Sequence, residues 1–331
     1  MNTKIKIFML VLIFAVSFSA IAEDPPSLTE LQKSVADFSE GLAKTLPFNS
    51  SLGLNWADAY IGKFLPSSPP HFGVGGSFGV TTMDTPAMKT LASFLGGKLP
   101  LNIDKLPLPA YTVEVRVGGV FLPFDAGFKF GYLPSTEIFG IGTNYLLVGG
   151  DIRYALLDKP VLPKISVGVG FNYLQGGISA KMGSDTTFAY GGPSITLKSP
   201  KTEFNWATKS LDFKAQISKS FLIITPYLGL GVSYAWSEAG YSVKASIEDE
   251  YNELIGPSEI AAINDYLRSQ GVDTIDVDKN GASSIINSSS FNLRAFGGIS
   301  LNIVVFKIDL TVLYSILDNN YGGSVGLRFQ L

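Results

Sequence analysis

The sequence contains no cysteine and a single histidine among its 331 residues. Without cysteine, disulfide bonds and thiolate zinc sites are excluded. Basic residues number 25 and acidic residues 28, so we expect no nucleic-acid partner. His71 stands between Pro70 and Phe72 with no hydrolase motif around it. We therefore predict no catalytic residue, no enzymatic activity and no cofactor.

Long hydrophobic runs are missing after the first 22 residues. The mean hydropathy is nevertheless +0.26, and only 16% of residues are charged. No later stretch approaches the roughly 18 consecutive apolar residues of a transmembrane helix. The apolar residues come in short pieces instead, and 35 glycines with 12% aromatic residues favour an all-β protein with many turns.

The first 22 residues have the pattern of a secretory signal. Lys4 and Lys6 precede the apolar run IFMLVLIFAVSF, and an A-x-A motif ends at Ala22. A basic region, a short apolar region and a small-residue site in this order predict a cleaved signal peptide over residues 1–22.

A helix is predicted in the next part of the chain, residues 23–71. Ser27 and Glu30 form a capping box, and Pro47 is expected to end the helix. Apolar residues recur at helical spacing between them: Leu28, Leu31, Val35, Phe38, Leu42 and Leu46. We expect this amphipathic helix and its lead-in either to plug the inside of the following domain or to rest outside it.

From Phe72 to Leu331 the apolar period changes to two, which indicates strands with one apolar face. The opposite face is polar, as in a soluble sandwich or in a membrane barrel with a polar interior, and periodicity alone does not separate these. The charged candidates for a barrel lumen are Glu114, Arg116, Asp125, Lys129, Asp151, Arg153, Asp212, Lys214, Arg294, Lys307, Asp309 and Arg328.

Three features favour the membrane barrel. Apolar faces end in aromatic residues such as Tyr132, Tyr154 and Trp236, as at a bilayer interface. Opposite charges stand two residues apart on the polar face, for example Asp151 with Arg153. Short connections alternate with long ones, the long ones covering 83–108, 176–201 and 238–290. Together they predict a transmembrane antiparallel up-and-down barrel of about ten strands, with a range of about 8 to 12 because 52–64 has weak strand character.

The chain ends on SVGLRFQL, in which Val325, Leu327, Phe329 and Leu331 alternate with polar residues or glycine. With the signal pattern and the alternation over 72–331, this ending resembles the bacterial outer-membrane β-barrel superfamily. The resemblance implies that these four residues form the C-terminal insertion signal presented to the barrel-assembly machinery. It also implies residence among the lipids of the outer membrane of a Gram-negative-type envelope.

Two functions are compatible with these features. The first is a narrow channel or passive transporter for small solutes, plugged or gated by the helix, in which the charged lumen residues set ion preference. The alternative is a closed barrel that acts as a surface binder, adhesin or structural protein through its long loops and an extracellular ligand. Glycines on the polar face, Gly127 and Gly231 among them, either free volume for a channel or plug or serve barrel curvature.

A metal site is only weakly suggested. Asp276, Asp278, Asn280 and Gly281 occupy positions 1, 3, 5 and 6 of an EF-hand-like loop. Asn287 stands where such a loop needs a bidentate glutamate. The segment is more typical of a polar turn, so no metal is predicted.

Overall fold

The computed structural model describes residues 28–84, 105–138, 141–181, 186–189, 194–197, 201–244, 247–248 and 281–331. One helix, α1 (Leu28–Ser50), precedes the strands. The strands that form the barrel are β1 (Phe72–Asp84), β2 (Lys105–Gly118), β3 (Phe124–Ile138), β4 (Ile141–Leu157), β5 (Lys164–Lys181), β8 (Lys201–Ser218), β9 (Ile224–Lys244), β11 (Gly281–Ile303), β12 (Phe306–Ser315) and β13 (Asn320–Gln330). Three short strands, β6 (Thr186–Ala189), β7 (Ser194–Leu197) and β10 (Ile247–Glu248), pair in a separate small sheet.

The barrel is closed and antiparallel, in the order β1-β13-β12-β11-β9-β8-β5-β4-β3-β2. Closure comes from β1, which pairs with β2 on one side and with β13 on the other. Each strand therefore has a hydrogen-bonded neighbour on both edges, as a sheet within lipid requires. The prediction of an all-β antiparallel barrel of about ten strands is confirmed.

The two ends of the barrel differ. At the end we call the turn end, the connections are the short segments 119–123, 158–163, 219–223 and 304–305. The barrel also begins and finishes there, since the Leu331 amide donates a hydrogen bond of 3.0 Å to the Phe72 carbonyl. The longer connections, such as 85–104 and the segment between β9 and β11, are at the opposite end, which we call the loop end.

Several strands extend further toward the loop end than predicted. β5 continues to Lys181, β9 continues to Lys244 and β11 begins at Gly281, so the connections predicted at 176–201 and 238–290 are partly strand. β9 and β11 pair without interruption from Ile224 and Leu301 to these tips. Apolar alternation marks only the part of a strand that has one face in lipid. The backbone hydrogen bonds between two strands continue beyond that part, wherever their backbone groups can pair.

The outer face of the barrel is apolar and exposed. On β12, Val312 is 66% exposed while its neighbour Thr311 is 5% exposed. Phe306 and Leu310 continue the outer row. Exposed bulky apolar side chains around a closed barrel with a polar interior are typical of a surface that contacts lipid.

Aromatic side chains are frequent on the outer face toward the loop end. Tyr234 and Trp236 pack edge to face, with ring centroids 4.9 Å apart. Tyr314 and Tyr321 lie 5.2 Å apart on neighbouring strands. Rings in this position fit the interfacial girdle of a membrane barrel.

The prediction that Pro47 ends α1 is wrong, because the helix continues to Ser50. Proline in a helix loses one hydrogen bond and crowds the preceding turn. Here the neighbouring Leu46 and Phe48 are fully enclosed by the barrel, so tertiary packing outweighs the unfavourable propensity. No helix in the described ranges has the length and apolarity needed to span a membrane.

Candidate functional site

The inside of the barrel is filled by the chain's own N-terminal part. We call residues 42–61, the last turns of α1 and the irregular segment after it, the plug. Every residue of the plug except Lys44 is buried. The stretch 52–64, which the sequence left open as an extra strand, contributes no strand to the barrel.

The plug is held by apolar contacts in the loop-end half of the barrel. Leu42, Ala43 and Leu46 pack in one cluster with inward residues of the wall. These wall residues are Met83, Leu108, Leu147, Leu174 and Ala239. Asn49 adds hydrogen bonds from its side-chain amide to Thr81 Oγ1 (2.8 Å) and to the Leu108 carbonyl (3.0 Å). The end of the helix is thus buried on all sides, which stabilises it more than its own propensity could.

In the middle of the barrel the contacts become polar. Lys129 Nζ donates to the carbonyls of Ser50 (2.7 Å) and Leu52 (2.5 Å). Gly53 follows with φ +82°, and a Cβ there would lie 2.7 Å from Thr112 Oγ1. Only glycine combines this backbone conformation with so close an approach to the wall.

Toward the turn end the plug places a carboxylate among wall cations. Asp58 Oδ2 accepts from Lys307 Nζ at 2.8 Å and from Arg328 Nη2 at 2.9 Å. Trp56 lies beside them, its ring centroid 4.6 Å from Arg328 Cζ and its Nε1 2.6 Å from the acceptor Glu114 Oε2. Ion pair, cation–π contact and indole hydrogen bond therefore hold one short piece of chain.

The neighbouring charges also fix the ionisation of the Asp58 carboxyl, which lies outside the strands. Burial by itself would raise the pKa of the Asp58 carboxyl, but Arg328 and Lys307 outweigh burial and hold that pKa well below its ordinary value. Asp58 is therefore a carboxylate at neutral pH.

The irregular backbone of the plug has no ladder of its own, so wall side chains satisfy it. Gln216 Nε2 donates to the Trp56 carbonyl (2.8 Å), and Arg153 Nη1 donates to the Asp58 carbonyl (2.8 Å). In the other direction, the Ile61 amide donates to Asp125 Oδ2 at 3.2 Å. These buried polar groups of plug and wall are thus paired with each other, as a dry interior requires.

The twelve charged residues singled out from the sequence all lie on the interior side of the wall. Eleven are buried, and the side chain of Lys307 is 14% exposed. Basic side chains outnumber acidic ones among them, and Asp58 supplies a further negative charge. The wall is therefore matched in charge to the plug.

Their partners are not the neighbours two residues along the same strand. Arg116 pairs instead with Asp125 (2.6 Å) and Asp151 (2.7 Å) on the two following strands. Lys214 reaches Asp151 at 2.5 Å. In the same way Arg153 pairs with Asp125, Arg294 with Asp212 and Arg328 with Asp309. Side chains on adjacent strands approach more closely than those at i and i+2 on one strand, which explains the pairs between neighbouring strands. The pairs of Asp151 with Arg116 and Lys214, and of Asp212 with Arg294, reach across one intervening strand.

Glycines on the interior face leave room for these large side chains. A Cβ at Gly231 would lie 2.7 Å from Arg294 Cζ, and a Cβ at Gly127 would lie 2.7 Å from Arg116 Nη2. A cavity beside Trp56 measures about 20 Å³ and one beside Lys129 about 10 Å³. The larger has room for about one water. Side chains of wall and plug therefore occupy the space beside these glycines, and neither cavity has room for a solute much larger than water.

The C-terminal residues lie on the closing strand β13. Val325 and Leu327 are exposed on the outer face. Phe329 packs between Phe306 and Phe72, with ring centroids 5.9 Å and 6.4 Å away. The Leu331 carbonyl lies 3.1 Å from His71 Nδ1, so the histidine contributes to the contacts where the barrel closes.

Some predictions fall outside the described residues, namely the signal peptide at 1–22 and the weak calcium candidate at Asp276, Asp278 and Asn280. Conversely, Trp56 and Asp58 were not singled out from the sequence. They belong to a stretch with only weak strand character and no motif, so no signal marked them.

These features define the protein as a closed ten-stranded antiparallel β-barrel with an apolar outer face and an internal plug. Residues 126–331 match the model of the Lsa36-like family, and the chain belongs to that family. No curated protein matches the chain.

Three solved structures illustrate what the chain is similar to. The protease OmpT from Escherichia coli is 11% identical, with a TM-score of 0.39 over 83% of this chain and 100% of that one. The translocator domain of the autotransporter NalP from Neisseria meningitidis is 9% identical, with a TM-score of 0.31 over 91% and 97%. Ail, the attachment invasion locus protein of Yersinia pestis, is 11% identical, with a TM-score of 0.24 over 79% and 97%.

Proposed function

We propose that the protein is a closed outer-membrane barrel that acts at the cell surface, by binding an extracellular ligand or as a structural element, through its loop end. The observation that carries this proposal is the filled lumen. Lys129 on β3 hydrogen-bonds to carbonyls of the plug, and Lys307 on β12 pairs with Asp58. Because these wall cations have their hydrogen-bond and ion-pair partners in the plug, they favour the state in which the plug fills the lumen.

In this proposal the protein lies in the outer membrane of a Gram-negative-type envelope, with the loop end facing outward and lipids around the barrel. Short turns on the periplasmic side and longer loops outside are the usual arrangement of such barrels. Export would use the signal in residues 1–22, and insertion would use the barrel-assembly machinery. The proposal includes no catalytic role and no cofactor.

Gated passage of small solutes is the second candidate, and the chemistry of the turn-end half favours it. There the plug is held by hydrogen bonds and ion pairs, which water can replace. The wall keeps ion pairs of its own, such as Arg116 with Asp125 and Arg294 with Asp212. If the plug moved out, these residues would line a hydrated and charged lumen.

A disulfide lock separates the two candidates. Ser50 Oγ in the plug lies 3.2 Å from Ser210 Oγ in β8, and both side chains are buried. Because cysteine is similar in shape to serine and the chain has no native cysteine, Ser50→Cys with Ser210→Cys would fix the plug under oxidising conditions. The single variant Ser50→Cys is the matched control.

The measurement is conductance in a planar bilayer with protein whose folding is verified by heat modifiability. The closed-barrel proposal expects no current from the wild type or from the double variant, oxidised or reduced. Current in the wild type that disappears on oxidation of the double variant and returns on reduction would overturn it in favour of gated passage.

A further inference from the structure

The plug crosses the barrel from one end to the other, in the order of its sequence. Leu42 and Leu46 pack against Met83 and Leu108, which lie near the loop end of their strands. Asn49 bonds to Thr81, somewhat further in.

The later residues of the plug meet the turn-end part of the wall. Trp56 reaches Glu114, and Ala59 N donates to Ser218 Oγ at 2.9 Å. Ser218 is the last residue of β8, at the turn end.

After the plug the chain leaves the barrel at the turn end. The Phe64 amide donates to the Gly119 carbonyl at 3.0 Å, and the Gly118 amide donates to the His71 carbonyl at 3.0 Å. The two contacts involve the last residue of β2 and the first residue of the turn that follows it. From there the chain enters β1 at Phe72. The stretch from Leu42 to Phe72 therefore runs through the lumen from the loop end and returns to the wall at the turn end.

The residues before Leu42 lie beyond the loop-end contacts of the plug. α1 begins at Leu28, and at about 1.5 Å per residue its first fourteen residues span about 20 Å before the plug starts. Asp37 and Glu40 on this part of the helix are exposed. Lys44, the one exposed residue of the plug, continues this polar row and pairs with Glu40 at 2.7 Å.

We propose that the barrel holds its own N-terminal segment across the outer membrane, so that the exposed part of α1 stands at the cell surface beside the loops. This deepens the proposed function and rests on it, because it uses the loop-end-outward orientation. The surface that meets an extracellular partner then includes the exposed part of α1, with Asp37 and Glu40 on it.

The plug also contacts the strands that close the barrel. Asp58 pairs with Lys307 on β12 and with Arg328 on β13, and β13 is the strand that joins β1. An N-terminal segment with one end outside and the other at the turn end can reach this position in two ways. Either the barrel closes around it when β1 and β13 pair, or the segment is drawn through the finished lumen. The contacts of Asp58 with the last two strands favour the first route.

Single-cysteine labelling tests the placement, since the chain has no native cysteine. Asp37→Cys and Glu40→Cys would be expressed in a Gram-negative host and treated with a polymer-linked maleimide too large to cross the envelope. Glu137→Cys, exposed near the end of β3, marks the loop end, and Lys159→Cys, exposed in the 158–163 turn, marks the turn end. Heat modifiability verifies the barrel in each variant.

We expect Asp37→Cys and Glu40→Cys to be labelled on intact cells to the same extent as Glu137→Cys, and Lys159→Cys only after permeabilisation. Labelling of both helix variants only after permeabilisation, with Glu137→Cys labelled on intact cells, would overturn the placement and leave the orientation standing. Labelling of Lys159→Cys but not Glu137→Cys on intact cells would overturn the orientation, and with it both proposals.

The Ser50→Cys, Ser210→Cys pair tests the threading independently of orientation. We expect its disulfide to form in the assembled protein and to change the electrophoretic mobility of the unfolded chain until reduced. A properly folded barrel in which this disulfide does not form under oxidising conditions would overturn the threading.

Discussion

Removal of the Asp58 charge should loosen the plug. In Asp58→Asn, Arg328 keeps Asp309, at 2.6 Å, as a partner. Among the described residues Lys307 has no other ion pair than the one with Asp58 at 2.8 Å. Breaking a buried ion pair by removing one partner costs about 3–5 kcal/mol. Because Lys307 keeps some contact with water, we expect the lower value, about 3 kcal/mol.

The readout is the accessibility of a second plug residue, Ser51, which is buried and follows α1 directly. Ser51→Cys can react with a small maleimide only when the plug leaves its place. If the plug leaves and returns quickly relative to labelling, the labelling rate is proportional to the population of barrels whose plug is out of place. At 1.36 kcal/mol per factor of ten, 3 kcal/mol corresponds to labelling about 100-fold faster in Asp58→Asn than in its parent.

Asp158→Asn is the matched control, because Asp158 pairs with Lys164 at 3.3 Å but both side chains are partly exposed to solvent at the turn end. An exposed pair contributes about 1 kcal/mol at most, so labelling should accelerate about fivefold or less. If Asp58→Asn has no larger effect than Asp158→Asn, the reasoning about the buried ion pair is refuted.

Three further predictions concern the wall. Gly298→Ala should lower the yield of heat-modifiable barrel several-fold, because its Cβ would collide with the Leu310 carbonyl oxygen. Gly326→Ala is the control and should assemble normally, because the nearest atom to its Cβ would be 3.6 Å away. Equal yields of the two variants would contradict this prediction. Val304→Gly should raise the free energy of unfolding by about 1 kcal/mol, since an exposed valine at φ 57° is strained. The measurement is a urea titration of the protein in vesicles. A free energy of unfolding below that of the wild type would show that lipid contact stabilises the valine. Phe329→Ser should impair membrane insertion, measured by surface assembly, and normal assembly would show that the terminal strand does not depend on this ring.

Much of the wall was predictable because alternation assigns a residue to one face of a strand without knowledge of its partners. Arg116 and Val117 must point to opposite sides, and the lipid selects which side is apolar. The partner of Arg116 was not predictable in this way, since it depends on the register of β2 with β3 and β4. Along its own strand the nearest opposite charge to Arg116 is Glu114, whereas the structure pairs Arg116 with Asp125 and Asp151.

Strand ends beyond the lipid band were also misplaced. Residues such as Ser283 in β11 and Ser242 in β9 pair through their backbone, but with polar surroundings on both faces nothing in the side-chain pattern marks them as strand.

The sequence by itself determined the class of fold, because a period of two over 72–331 without long apolar runs permits a sheet with one apolar face and excludes membrane-spanning helices. It also determined the amphipathic helix at Leu28–Leu46. Only the tertiary structure decided that this helix enters the lumen from the loop end and that Trp56 and Asp58 fix it there. The reason is physical: contacts such as Asp58 with Arg328 join residues at opposite ends of the described chain, and they form only after ten strands have closed around the segment.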